Sequence, residues 1–228
     1  GTAARFFVQH RTMLAIFALA LVVRLFFLPF SLFDQKPVVL DRTIQFDGYY
    51  NIAENLREHG IFSMDTVTLE QDSVRTPVYP YFILFVTTYL GSYKAVFLLQ
   101  ALLGSTVVIF SWLLAREFLS ERASTTVGIL VALNPLMAYL SGVILTETLF
   151  MTFFIPSLLF FVHYLKNKHP GALAVSITLL SIATLVKPTT QFLPLGLLLV
   201  MAIGFNLRHH TKLLRDGLIL TVLFIAIL

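Results

Sequence analysis

The chain has 228 residues and a formal charge of +4, with 57% hydrophobic residues and only 12% Asp, Glu, Lys and Arg. Soluble domains carry about 25% charged residues, so a soluble enzyme, a disordered chain and a nucleic-acid-binding domain are all disfavoured. The absence of cysteine excludes disulfides and thiol catalysis. The composition therefore predicts an all-α integral membrane protein that contacts membrane lipids and no nucleic acid.

Seven apolar segments approach the length of about 20 residues that a helix needs to cross a bilayer core. The predicted spans are 13–33, 94–114, 123–139, 148–165, 172–186, 190–206 and 217–228. The first segment has no small-residue cleavage pattern, so we expect a retained helix. The last segment stops within its own helix and the chain begins with Gly1. We therefore expect residues 1–228 to be one membrane module of a longer protein.

A further apolar stretch, 78–93, decides the topology, because counting it as a span would change the side of every later loop. If it does not span, nine of the 16 basic residues lie in short cytoplasmic segments. The opposite side then holds residues 34–75, with eight acidic and four basic residues. The positive-inside rule thus predicts a cytoplasmic N-terminus and an outer loop, 34–93, in which 78–93 is an interfacial or re-entrant helix.

The first acidic candidate, Asp47, lies in this outer loop. Directly after it, residues 49–59 show helical spacing of apolar side chains, and Gly60 provides a stop signal. Asp is a good N-cap residue, so capping of this short helix is one interpretation of Asp47. A catalytic role is the other, and the two are compatible.

The second acidic candidate is Glu147, which the topology places at the outer end of a helix. Glu at a helix start, preceded by Thr146 as a cap, is stabilised by the helix dipole. An acid next to so apolar a segment is nevertheless costly, which favours a functional role.

Two cations reach the same face in this topology. Arg75 precedes the point where the outer loop re-enters the membrane, and Lys187 ends a predicted span. Either side chain can snorkel to the interface, but both residue types also bind anionic headgroups. Arg24 lies inside the first predicted span. Because a charged side chain in lipid has a high free energy, we expect Arg24 to face a polar cavity.

Two acids and two cations beside apolar helices suit a substrate that has a lipid tail, a phosphate and a reactive polar group. A carboxylate can accept a proton from an attacking hydroxyl. Cations or a divalent metal can stabilise the charge on a departing phosphate, and Asp47 and Glu147 are the candidate ligands if a metal is used.

Several short motifs resemble, in order and spacing, the GT-C membrane glycosyltransferases that use polyprenyl-phosphate sugars. The most similar branch holds protein O-mannosyltransferases and the bacterial aminoarabinose transferase of lipid A. The motifs are Phe46-Asp47-Gly48-Tyr49-Tyr50, Arg75-Thr76-Pro77-Val78-Tyr79-Pro80, Leu99-Gln100-Ala101-Leu102-Leu103-Gly104, Asn134-Pro135-Leu136, Thr146-Glu147-Thr148-Leu149-Phe150 and Lys187-Pro188-Thr189.

The resemblance implies an inverting transfer of sugar from a polyprenyl-phosphate donor to a protein hydroxyl, a lipid or a glycan. By position, Asp47 and Glu147 correspond to the family's acidic catalytic residues, and Arg75 and Lys187 to its donor-phosphate-binding residues. It further implies the outer face of a prokaryotic inner (plasma) membrane as the location of the active site.

Two other functions remain open from the sequence. In a transporter or flippase for an anionic lipid-linked substrate, the charges would line a translocation path, but no paired Gly- or Pro-interrupted segments indicate inverted repeats. A non-catalytic scaffold subunit is the third possibility, and it would neither bind nor transfer the lipid-linked sugar.

Overall fold

The computed structural model describes the backbone of residues 2–40, 48–204 and 210–227, and the side chains of 10–30, 48–203 and 215–227. Within these ranges the regular secondary structure is helical, with no strand, as the composition predicts. The helices are α1 Thr2–Leu40, α2 Tyr49–His59, α3 Val78–Leu90, α4 Tyr93–Arg116, α5 Glu121–Ala132, α6 Pro135–Leu140, α7 Glu147–Asn167, α8 Pro170–Val186, α9 Leu193–Gly204 and α10 His210–Ile227, with a 3₁₀ turn at Pro188–Thr190.

Three helices in the described part of the chain are long and apolar enough to cross a membrane. They are His10–Phe30 within α1, Tyr93–Arg116 and Glu147–Asn167, and they overlap the predicted spans 13–33, 94–114 and 148–165. The other four predicted spans are not confirmed. Residues 172–186 and 190–206 fall in shorter apolar helices, and 217–228 forms only part of α10.

The predicted span 123–139 is divided into α5 and α6, so its description as one continuous helix is wrong. The break lies at Asn134, whose backbone is extended and whose side-chain Oδ1 accepts from the Met137 N–H at 3.0 Å. Pro135 follows at the first position of α6, where its missing N–H costs nothing. A proline ring also disfavours helical backbone in the residue before it, which explains why α5 ends here.

Helix α2 has the predicted limits. Gly48 and Gly60 flank it with φ angles of 71° and 70°, the left-handed conformation that glycine adopts without strain. Ile52 and Ala53 are buried, as the amphipathic pattern predicts. Gly48 occupies the N-cap position, so the interpretation of Asp47 as the N-cap is wrong, and the catalytic interpretation stays a prediction.

Helix α3 is too short to cross a bilayer by itself. Its 13 residues extend for about 20 Å, against about 30 Å for the hydrocarbon core. Tyr79, Ile83 and Val86 are buried against the rest of the bundle, and Gly91 ends the helix. This length agrees with the prediction that the segment is interfacial or re-entrant.

Helix α4 lies at the centre of the fold, in contact with α1, α3, α5 and α7. Val96, Phe97 and Ala101 on α4 are buried, as is Trp112 near its other end. Helices α7 and α8 are joined by only two residues, 168 and 169, and pack along each other as an antiparallel pair. The C-terminal end of α8 therefore returns to the first turn of α7.

Candidate functional site

Two of the predicted site residues, Glu147 and Lys187, are in direct contact. Lys187 Nζ donates to Glu147 Oε1 at 2.8 Å, and each side chain is about one-third exposed (33% and 32%). Glu147 is the first residue of α7, and Lys187 follows α8 with extended backbone. The antiparallel packing of α7 and α8 thus produces an ion pair between residues 40 positions apart. Partial exposure leaves Lys187 able to contact a ligand as well.

The third predicted residue, Arg75, is paired with an acid that the sequence reasoning overlooked. Arg75 Nη1 donates to Asp72 Oδ2 at 2.7 Å, and its backbone N–H donates to Asp72 Oδ1 at 3.0 Å. Burial disfavours the charged form of Asp72, but these bonds and one from the Val74 N–H outweigh it and lower the pKa of Asp72. A fixed Asp72 carboxylate therefore orients Arg75.

Arg75 is connected to the Glu147–Lys187 pair through the backbone rather than by a shared ion pair. The neighbouring Thr76 hydroxyl donates to the Val186 carbonyl at 2.8 Å. Val186 directly precedes Lys187, so the start of α3 is bonded to the end of α8. The two predicted phosphate-binding cations consequently lie on adjoining segments.

Gln100 holds the segment that precedes Glu147, and the sequence reasoning gave it no role. It is fully buried in α4, where its Nε2 donates to the carbonyls of Ser141 and Val143 at 3.0 and 2.9 Å. Its Oε1 accepts from the Tyr79 hydroxyl at 2.7 Å. A buried amide in an apolar helix destabilises the fold unless its hydrogen bonds are made. A glutamine within so apolar a segment was therefore the sequence signal that could have identified Gln100.

Tyr79 links this network to the outer-loop helix. Its hydroxyl donates to Gln100, and burial, followed by the nearby Glu147 charge, raises the pKa of Tyr79 well above its ordinary value. The Tyr49 ring meets the Tyr79 ring edge-on, with centroids 5.3 Å apart. The first turn of α2 therefore lies beside the first turn of α3.

Asp47, the fourth predicted site residue, lies outside the described residues. The described chain continues from Gly48 into α2, whose first residues Tyr49 and Tyr50 are buried. The role of Asp47 thus stays a prediction.

A divalent metal bound by Asp47 and Glu147 also stays a prediction. Among the side chains that the structure describes, no group of three His, Asp or Glu residues converges as a metal site. The neighbour that the structure gives Glu147 is the Lys187 ammonium group, which binds a carboxylate but not a metal.

Arg24 is buried within α1 and borders a small cavity that Glu147 also lines. From the sequence alone, Arg24 has no assigned partner and is expected to face a polar cavity. Most of the cavity lining is apolar, with Glu147, Ser141 and Thr148 as polar exceptions. Arg24 and Glu147 thus line the same cavity.

The arrangement combines fixed cations with the ends of apolar helices. Lys187 provides a point charge and Arg75 a planar group that can bind two phosphate oxygens. Exposed apolar side chains on the long helices, such as Phe26 and Leu102, suit contact with lipid. The site can thus hold an anionic headgroup whose tail lies along the bundle.

Comparison with known proteins identifies a family. The model of the family described as dolichyl-phosphate-mannose-protein mannosyltransferase matches residues 74–228, well over half of the chain. The matched region includes Arg75, Glu147 and Lys187, whereas Asp47 precedes it. No curated protein and no solved structure matches the chain. The resemblance seen in the sequence motifs is confirmed: the chain belongs to the dolichyl-phosphate-mannose-protein mannosyltransferase family and is an integral membrane glycosyltransferase of the GT-C type.

Proposed function

We propose that the protein transfers a sugar from a polyprenyl-phosphate donor to an acceptor hydroxyl on the outer face of a prokaryotic plasma membrane. The observation that carries this proposal is the Lys187–Glu147 ion pair, bonded through Val186 to the segment that bears Arg75. A phosphate between Lys187 and Arg75 would leave its polyprenyl tail on the apolar helices. The family description names a lipid-linked mannose and a protein acceptor, and it supports this class of substrates.

In the proposed reaction, an acceptor hydroxyl attacks the anomeric carbon of the sugar. A new carbon–oxygen bond forms there while the bond to the phosphate oxygen breaks, which inverts the configuration. The hydroxyl proton passes to the Asp47 carboxylate, and polyprenyl phosphate leaves with the bonding electron pair. Arg75 and Lys187 stabilise the additional negative charge on the phosphate, and Glu147 holds Lys187 in place.

The distribution of charge supports this choice of membrane face. If α3 does not span, nine basic residues lie in cytoplasmic segments and the acidic residues 34–75 lie opposite. The Glu147–Lys187 pair is then on the side of the acidic loop, together with Arg75.

The deciding experiment measures donor binding and sugar transfer on the same purified protein in nanodiscs. We expect wild type to bind polyprenyl-phosphate mannose and transfer the sugar, and Asp47→Asn to bind it with unchanged affinity but transfer none. An Asp47→Asn protein with wild-type turnover would contradict the role of Asp47. Uptake of the donor into vesicles without transfer would favour a transporter, and neither binding nor transfer would favour a scaffold subunit.

A further inference from the structure

Two buried polar atoms face the same cavity without a hydrogen-bond partner among the described residues: Arg24 Nε and Glu147 Oε2. Arg24 is only 2% exposed, and its Nη1 donates to the Ala20 carbonyl at 3.1 Å. Glu147 Oε1 is already bound by Lys187. An inaccessible polar atom of a charged group is costly when its hydrogen bond is unmet, so a partner in the cavity would stabilise both atoms.

The cavity is large enough for one water molecule and too small for a phosphate. It has a volume of about 20 Å³, and a single water requires roughly 10–15 Å³ by the same measure. Residues of helices α1, α4, α6 and α7 line it together with Ser141, the residue after α6. The Ser141 hydroxyl donates to the Met137 carbonyl at 3.0 Å and can still accept a bond. Three polar partners are typical for a buried water.

The absence of a side chain at Gly104 on α4 leaves the space that the Arg24 guanidinium group occupies. A Cβ atom on this residue would lie 2.7 Å from Arg24 Nε and 2.9 Å from Ser141 Oγ, closer than nonbonded atoms approach. Both polar atoms are therefore within 3 Å of one point on the surface of α4. The glycine belongs to the motif at 99–104, to which the sequence reasoning assigned no function.

We propose that one buried water accepts a hydrogen bond from Arg24 Nε–H and donates to Glu147 Oε2 and Ser141 Oγ. The Glu147 carboxylate is then held at both oxygens, by Lys187 on one side and by the water on the other. Arg24 is a positioning residue: through Glu147 it fixes Lys187 at the end of α8. Only the consequence for donor binding rests on the proposed function, in which Lys187 contacts the donor phosphate.

The first test is a double-mutant cycle of Arg24→Met and Glu147→Gln, measured as thermal unfolding of the full chain in detergent. Both substitutions break the same bridge. The melting temperature of the double variant should therefore fall by clearly less than the sum of the two single decreases. Strictly additive losses would overturn the bridge. Arg24→Met combined with Asp216→Asn is the matched control, since Asp216 is a buried acid that binds Tyr164 near the other end of α7. That pair should be additive.

The second test fills the cavity from α4. Gly104→Ala should lower the melting temperature, because the added Cβ displaces the Arg24 guanidinium group. In a protein that already carries Arg24→Met, the same substitution should lower the melting temperature little further. Gly196→Ala is the control, since a Cβ there would meet only Leu193 Cδ1 at 3.9 Å. A Gly104→Ala protein as stable as the Gly196→Ala protein would contradict the packing of Arg24 against Gly104.

The third test uses polyprenyl phosphate as the probe for the position of Lys187. Arg24→Met should weaken its binding about tenfold, the loss typical of one hydrogen bond to a charged group. Unchanged binding would overturn the positioning role even if the stability cycle shows coupling. If wild type does not bind polyprenyl phosphate, the proposed function fails, while the stability cycle still decides whether the bridge exists.

Discussion

Lys187 and Glu147 are 40 positions apart in the chain, yet the Lys187 ammonium group donates to the Glu147 carboxylate at 2.8 Å. The contact joins the end of α8 to the start of α7, and the two-residue connection between these helices makes it possible. A cation held by a carboxylate at the end of an apolar helix pair is oriented but not fully buried, because both side chains are about one-third exposed.

Loss of the Lys187 charge should weaken donor binding. We expect Lys187→Met to lower the affinity for polyprenyl phosphate by about 10- to 100-fold, since a charge-assisted hydrogen bond contributes roughly 1.5–3 kcal/mol. Equilibrium binding in nanodiscs measures this. The matched control is Lys166→Met, which breaks an ion pair of 2.7 Å with Glu117 near the opposite end of α7. Equal binding losses in the two variants would contradict a specific role for Lys187.

Removal of the Gln100 amide should destabilise the fold. Gln100→Met keeps a side chain of similar length but leaves the buried carbonyls of Ser141 and Val143 and the Tyr79 hydroxyl without this partner. Each such unmet bond costs about 1–3 kcal/mol. The free energy of unfolding in denaturant should therefore fall by at least about 2 kcal/mol. Tyr79→Phe removes only one of the bonds and should cost less; a larger loss than in Gln100→Met would count against this network.

The Asp72–Arg75 pair should make stability depend on pH. The folded-state pKa of Asp72 lies below the ordinary value of 3.8, so its stabilisation is present above about pH 3.8 and is lost as the pH falls through the folded pKa. Asp72→Asn should melt below wild type at pH 6, and the difference should shrink in acid. Glu70→Gln, an exposed change in the same loop, is the control. A difference that does not vary with pH would exclude ionisation of Asp72 as its cause.

The cap of α6 can be tested separately from the site. Asn134→Ala removes the acceptor of the Met137 N–H and should cost about 1 kcal/mol of unfolding free energy. Asn134→Ser retains a capping oxygen and should remain close to wild type. If both substitutions cost the same, the cap is not the source of the effect.

The site could be predicted from the sequence only in part. The sequence identified Glu147, Lys187 and Arg75 because charges are rare in so apolar a chain, but it paired none of them. Asp72 is one of eight acids between residues 34 and 75, and Gln100 belongs to a motif to which the sequence assigned no role. Their roles depend on hydrogen bonds to residues that are distant in the chain, and periodicity contains no information on such bonds.

The sequence by itself determined the membrane class, the all-helical architecture and the limits of α2. These properties follow from composition, local spacing and glycine conformation, which need no distant contact. Only the tertiary structure decided that 123–139 breaks at Asn134, that Lys187 binds Glu147, and that Arg24 and Glu147 line one cavity. The antiparallel packing of α7 and α8 sets the ion pair, and the close approach of α1 to Gly104 sets the position of Arg24. Both depend on how helices pack, which a count of apolar residues does not specify.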